Sequence, residues 1–227
     1  AEIIVPVVDK DQDYYLLAVS SLGHTALFSG VYHLSAAPVY VHGDDLAGDS
    51  VTISGDATTL HVTFNGSSYA YPTADVTALS VRMHGGNDAV DASGLTVSLP
   101  SMQYGGEHDD QLTGGVGDDL LRGGVGDDNL GGGLGNDLLA GGEGNDTLNG
   151  DAGDDSISGG AGIDVIDGGT NTAIGDTVDY SVESGVLDVN LTTGVVAQDG
   201  AGSADTVTNI ENVRGGSGTN TIRGSAA

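Results

Sequence analysis

GGEHDDQLT GGVGDDLLR GGVGDDNLG GGLGNDLLA GGEGNDTLN GDAGDDSIS GGAGIDVID, residues 105–167, is a run of seven nine-residue units. Each reads G-G-x-G-x-D-x-U-x, where U is a large apolar residue. Five units, starting at Gly114, Gly123, Gly132, Gly141 and Gly159, keep every position. The unit from Gly105 has His108 at the third glycine, and the unit from Gly150 has Asp151 at the second. So strict a period predicts a stack of equivalent turns. A flexible glycine-rich spacer would have no reason to keep an aspartate two residues before Leu or Ile in every unit. In the unit Gly123–Gly131, the three glycines permit a tight turn with φ > 0. Asp128 offers a hard anionic oxygen, and Leu130 follows in a short strand facing inward.

Outside this run the pattern loosens. From Val39 to Leu99 the segments Val39–Val41, Ser50–Ser54, Leu60–Asn65, Ser68–Tyr71 and Ala78–Met83 alternate apolar and polar residues, as half-buried strands do. Asn65-Gly66 signals a hairpin turn. Gly48-Asp49-Ser50-Val51 and Gly86-Asn87-Asp88-Ala89-Val90 keep the aspartate-x-apolar spacing. Residues 39–104 therefore read as an irregular β-solenoid that leads into the regular stack at 105–167. Residues 1–38 are an N-terminal cap or an unassigned segment, with Tyr14–Ala18 and Ala26–Leu34 as strands or a short capping helix.

After Asp167, Gly168–Asp179 reads as a unit with three extra residues, back in register at Gly175-Asp176-Thr177-Val178. Val186–Leu191 and Gly194–Ala197 form a hairpin joined by Thr192-Thr193. The last degenerate unit, Gly215–Arg223, has Asn220 where aspartate is expected. Residues 168–227 are thus degenerate repeats and a C-terminal cap, the usual way to close a solenoid.

Composition narrows the function. There are 33 acidic residues against 5 basic, a formal charge of −28. That excess repels itself in a compact state unless cations neutralise it. It excludes a nucleic-acid partner, which needs a basic face, and an anionic membrane surface. No run of 18 apolar residues predicts a membrane span. There is no cysteine, hence no disulfide framework. The chain opens on Ala1, not Met, which suits a processed mature protein or a fragment.

Catalytic signatures are missing: no H-E-x-x-H, no G-x-S-x-G, and a single lysine, Lys10, with no phosphate-binding loop around it. The chain is therefore expected not to be an enzyme. His24, His33 and His42 are nine residues apart, so His24 and His42 would stack on a nine-residue rung; ordinary surface histidines explain them equally simply. The three glycosylation-type triplets at Asn65, Asn145 and Asn190 read as chance matches.

The nonapeptides resemble the RTX (hemolysin-type) calcium-binding repeat. The resemblance is specific for Gly105–Asp167 and extends more loosely over Val39–Gly224. It implies an all-β, right-handed parallel β-roll in which two nonapeptides make one 18-residue turn. Calcium then sits in the turns, between loops of units n and n+2. One edge would carry Asp110, Asp128, Asp146 and Asp164, and the other Asp119, Asp137 and Asp155. Loop glycines complete the implied metal sites: Gly115, Gly117, Gly124, Gly126, Gly133, Gly135, Gly142, Gly144, Gly153, Gly160 and Gly162. Calcium takes roughly 6–8 oxygen ligands, more than one loop supplies. Adjacent aspartate pairs give about five ions, and Asp88 and Asp176 add one at each end for up to seven. Residues at the fifth position, such as Asp109, Asp118, Asp127, Asn136, Asn145 and Asp154, read as turn-formers more than ligands.

A site with Kd ~10⁻⁴ M in ~10⁻³ M calcium contributes about 1.4 kcal/mol, so five give ~7 kcal/mol, the scale of a domain's net stability. The resemblance thus implies a secreted protein that folds on meeting extracellular calcium. Its expected role is structural, adhesive or surface-associated, with calcium ions, a cell-surface or matrix polysaccharide, or further copies of the chain as partners. The alternatives are the non-catalytic calcium-binding portion of a larger secreted enzyme or toxin, of protease, lipase or epimerase type, and a polysaccharide-acting module using the 39–104 face. With eight Tyr, two Phe and no Trp, the chain has few aromatics for stacking on sugars.

Overall fold

The computed structural model describes residues 30–33, 37–43, 48–201 and 203–224. Within them the chain is all-β, with one 3-10 turn at Thr73–Asp75 and no α-helix. No described helix is long and apolar enough to cross a membrane. Tyr14–Ala18 and His24 lie outside the described residues, and part of Ala26–Leu34 appears as the strand Gly30–His33.

Two sheets, one of nine strands and one of twelve, take alternate nonapeptides. The strands Leu120–Val125, Leu138–Glu143 and Ser156–Ala161 belong to the first. Gln111–Thr113, Asn129–Leu134, Thr147–Ala152 and Val165–Asp167 belong to the second. Neighbours in each sheet are parallel and displaced by two units, pairing Leu121 with Leu139 and Leu139 with Ile157. On the other side Leu112 pairs with Leu130, Leu130 with Leu148 and Leu148 with Ile166. The 18-residue turn is therefore the repeating object, as in a β-roll. Every one of these seven apolar residues is buried, in two facing columns that make a core one side chain thick on each side.

The ends depart from the regular turn in readable ways. Ile157 pairs with Val178, so this turn spans three more residues than the regular ones. The widened loop is pinned by Asp154, whose carboxylate accepts hydrogen bonds from the Thr172 amide at 2.8 Å, the Thr172 hydroxyl at 2.6 Å and the Gly175 amide at 3.1 Å. Ile166 pairs with Val207, and the detour holds the antiparallel strands Leu187–Asn190 and Val195–Asp199. Asn220 starts a strand parallel to Leu187–Asn190, and its side-chain amide donates to the Gly216 carbonyl at 3.0 Å.

At the other end the structure modifies the expectation of solenoid rungs. Ser50–Gly55, Thr59–Phe64 and Ser67–Pro72 form an antiparallel meander at the edge of the larger sheet, joined to the parallel stack through Ala89–Leu95. Asn65 and Gly66, at φ 46° and 79°, make its two-residue turn. Ala37–His42 and Val76–Arg82 do continue the parallel stack of the smaller sheet.

Leu138 and Leu139 are chain neighbours on opposite faces of one strand, 46% and 0% exposed. Leu139→Ala is expected to lower stability by about 2–5 kcal/mol in saturating calcium. Leu138→Ala should change it by less than about 0.5 kcal/mol. Urea unfolding of both variants checks this inward–outward assignment.

Candidate metal centre

The loop at the start of each nonapeptide is held in a shape that excludes side chains. Gly124 has φ 130°, and a Cβ there would run into the Gly106 carbonyl of the preceding turn. The same holds for Gly142 over Gly124, Gly160 over Gly142, and Gly133 over Gly115. The third glycines stack likewise, Gly135 on Gly117, Gly153 on Gly135, Gly144 on Gly126 and Gly162 on Gly144. The two irregular units satisfy the backbone with residues that tolerate this region: His108 has φ 81° and Asp151 φ 67°.

Against these loops the sixth-position aspartates form two ladders. The Asp110 amide donates to Asp128 Oδ1, Asp128 to Asp146, and Asp146 to Asp164, each at 2.8 Å. On the other edge Asp119 donates to Asp137 at 2.8 Å, Asp137 to Asp155 at 2.7 Å, and Asp155 to Asp176 at 2.8 Å. The first edge runs back through Asp88, whose amide donates to Asp110, and Asp49, whose amide donates to Asp88. It continues past Asp164 to Asp205. The edges are those that the resemblance implies, with Asp49 and Asp205 added. Both additions carry the aspartate-x-apolar spacing, but neither follows an intact G-G-x-G loop.

The second carboxylate oxygen decides the chemistry. Oδ2 of Asp110, Asp128, Asp137, Asp146, Asp155, Asp164 and Asp176 is buried and has no hydrogen-bond partner. Asp119 differs, because its Oδ2 accepts the Gly115 amide at 2.8 Å. The first glycine of each unit lies beneath its own carboxylate: a Cβ on Gly123 would strike Asp128 Oδ2, and one on Gly141 would strike Asp146 Oδ2 and the Gly159 carbonyl. A buried anionic oxygen left unsatisfied is costly unless a cation meets it. Among the described residues no three acidic or histidine side chains converge as a metal cluster. Backbone carbonyls of the glycine loops must therefore provide most of any ligand shell, as a hard cation accepts.

The fifth-position side chains do something else. They form an exposed ladder running the opposite way, with the Asp127 amide donating to Asp109 Oδ1 at 3.0 Å, Asn136 to Asp118 at 2.9 Å and Asn145 to Asp127 at 2.7 Å. Their carboxylates are occupied in stitching turn to turn, in keeping with turn-formers. The His24–His42 stacking lies partly outside the described residues; the described His42 ring stacks on His84, centroids 6.1 Å apart.

The residues fit calcium: hard oxygen donors only, an open buried carboxylate oxygen per loop, and a side-chain-free cradle. The fold and this loop define a calcium-type nonapeptide β-roll. The family model of the RTX calcium-binding nonapeptide repeat matches four segments, residues 104–139, 131–166, 140–173 and 205–227. Residues 104–173 and 205–227 thus carry RTX nonapeptide repeats, and such repeats indicate calcium binding. No curated protein matches it.

Burial pushes the carboxyls up, most of all in Asp110, Asp137 and Asp155, to about 7, and in Asp128, Asp146 and Asp164 to about 6. The amide bond to each works against the shift, and nearby carboxylates add to it. An aspartate raised in the folded state binds protons more readily there than in the unfolded chain, at 3.8. The metal-free roll is therefore helped below about 4, and this help is lost as pH rises through 6 to 7. With calcium bound the dependence reverses, because the ion competes with protons for the same oxygens. Between pH 5 and 7.5, far-UV circular dichroism should show β structure declining with pH in calcium-free buffer, and thermal melts in calcium should show a midpoint that rises with pH.

Proposed function

We propose that this chain is an extracellular calcium-binding β-roll that folds on binding the ion and serves a structural, adhesive or surface-associated role. The observation that carries this reading is the row of open, buried Oδ2 atoms on both edges, from Asp110 to Asp164 and from Asp137 to Asp176. With cations absent, the fold must bury these carboxylates inside a chain of charge −28. With calcium bound, the same oxygens and the glycine carbonyls hold successive turns together. On this reading the regular roll takes about five ions, and up to seven with Asp88 and Asp176 at its ends. At a millimolar concentration outside cells this charge balance favours the roll; at the far lower level inside cells it favours the unfolded chain.

A scaffold role suits the rest of the molecule. The outward positions mix polar side chains such as Thr147 with apolar ones such as Leu138 and Val165, and the larger sheet ends on the Ser50–Pro72 meander at one side and on the strands of 187–199 and Asn220–Arg223 at the other. The runner-up is the calcium-binding, non-catalytic portion of a larger secreted enzyme or toxin; the length of the precursor separates the two. Polysaccharide and further copies of the chain are the partners a surface role would involve.

Light scattering on a sizing column, in excess chelator and in millimolar calcium, tests the reading. An expanded chain that becomes a compact monomer in calcium is the expected result. Discrete calcium-driven oligomers would assign the role to assembly. A chain equally compact in both conditions would overturn calcium-triggered folding.

A further inference from the structure

The second aspartate ladder does not stop at Asp176. Two hydrogen bonds recur along both edges. The amide of one acid donates to the carboxylate of the acid one turn on, and its carbonyl accepts from the residue after that acid. Asp128 makes both, to Asp146 Oδ1 and from the Thr147 amide, each at 2.8 Å. Asp155 makes both across the widened turn, to Asp176 Oδ1 and from the Thr177 amide, again at 2.8 Å. Asp176 makes both once more, but to a glutamate: its amide donates to Glu211 Oε2 at 2.9 Å, and its carbonyl accepts the Asn212 amide at 2.9 Å.

The pairing of Val178 with Val213 puts Glu211 two residues before its inward-facing partner, where aspartate stands in every nonapeptide. Asp176 is 0% exposed, and its Oδ2 has no hydrogen-bond partner. The loop before it is fixed by the Asn212 side-chain amide, which donates to the carbonyls of Ile174 and Gly175, both at 3.1 Å.

We propose that Asp176 and Glu211 form a further calcium site, outside the nonapeptide motif, that closes the second edge at its C-terminal end. It rests on the reading of the regular loops as calcium sites. Asp176 presents the same open, buried oxygen as Asp137 and Asp155. Glu211 is one methylene longer than aspartate and reaches the ladder from a segment with no glycine loop of its own. It is also exposed, so its side chain must be ordered when an ion binds. This site is therefore the weakest and the last to fill.

The first edge closes differently. Asp205 follows Asp164 in that ladder, and its Oδ2 accepts the hydroxyl of the buried Tyr180 at 2.9 Å. A phenol O–H supplies there what a cation supplies elsewhere, so Asp205 offers no open oxygen.

Equilibrium dialysis of the full chain against calcium, with bound metal counted by atomic absorption, tests the site in Glu211→Gln, Glu211→Ala and an Asp146→Asn control. Both Glu211 variants should bind one ion fewer than the wild type, or bind the last ion at least about tenfold more weakly. Far-UV circular dichroism at saturating calcium should be unchanged. Glu211→Gln keeps an oxygen for the Asp176 amide and carries the test if Glu211→Ala does not fold. Wild-type stoichiometry and affinity in a folded Glu211→Gln, with an ion lost in Asp146→Asn, would overturn this site alone. Equal binding by wild type and Asp146→Asn would bring down the regular sites, and this one with them.

Discussion

Six of the seven sixth-position aspartates, all but Asp119, give one oxygen to the amide of the preceding turn and turn the other into a buried loop where nothing in the protein meets it. The rest of the roll depends on this arrangement. The first bond sets the spacing of the turns. The second oxygen makes their stacking conditional, because a sealed anionic oxygen without a partner opposes folding. The glycine loops serve the same constraint, since a Cβ on Gly123 or Gly141 would occupy the ground of the carboxylate itself. The apolar columns alone are a thin support: one large side chain for every nine residues, in a chain rich in glycine that is costly to order.

The exposed fifth-position ladder and the buried sixth-position ladder run in opposite senses. From one turn to the next, the buried bonds go from an amide to the later carboxylate and the exposed bonds from an amide to the earlier one. Each pair of turns is thus gripped from both sides of its loop. The ends alter this grip without abandoning it. Asp154 takes up three extra residues through Thr172 and Gly175, Tyr180 answers Asp205, and Glu211 stands in for an aspartate.

Much of this was legible in the sequence. The nine-residue period fixes which leucines stack, and Leu112, Leu130 and Leu148 pair as the 18-residue turn requires. With the two-unit turn that the resemblance implies, the same period sorts Asp110 and Asp119 onto different edges. Asn65-Gly66 marked its turn by conformational preference alone. The meander at Ser50–Pro72 was less legible, because alternating burial looks the same in parallel and antiparallel strands. Glu211 was hidden for another reason. Its place is set by the pairing of Val178 with Val213 across the chain; it keeps the acid-x-apolar spacing, but its residue type departs from the motif and no glycine loop precedes it. Asp205 and Asp49 had the spacing but lacked the loop, so the repeat pattern alone did not mark them as ladder members.

Amide hydrogen exchange over residues 105–167, followed by mass spectrometry in excess chelator and again in millimolar calcium, tests the central claim most directly. If the open carboxylates make the fold conditional on a cation, the amides of Asp110, Asp128, Asp146 and their counterparts exchange freely in chelator and become strongly protected in calcium. Strong protection of this segment in chelator at neutral pH would contradict the account, because the roll would then tolerate its buried carboxylates with no ion to meet them.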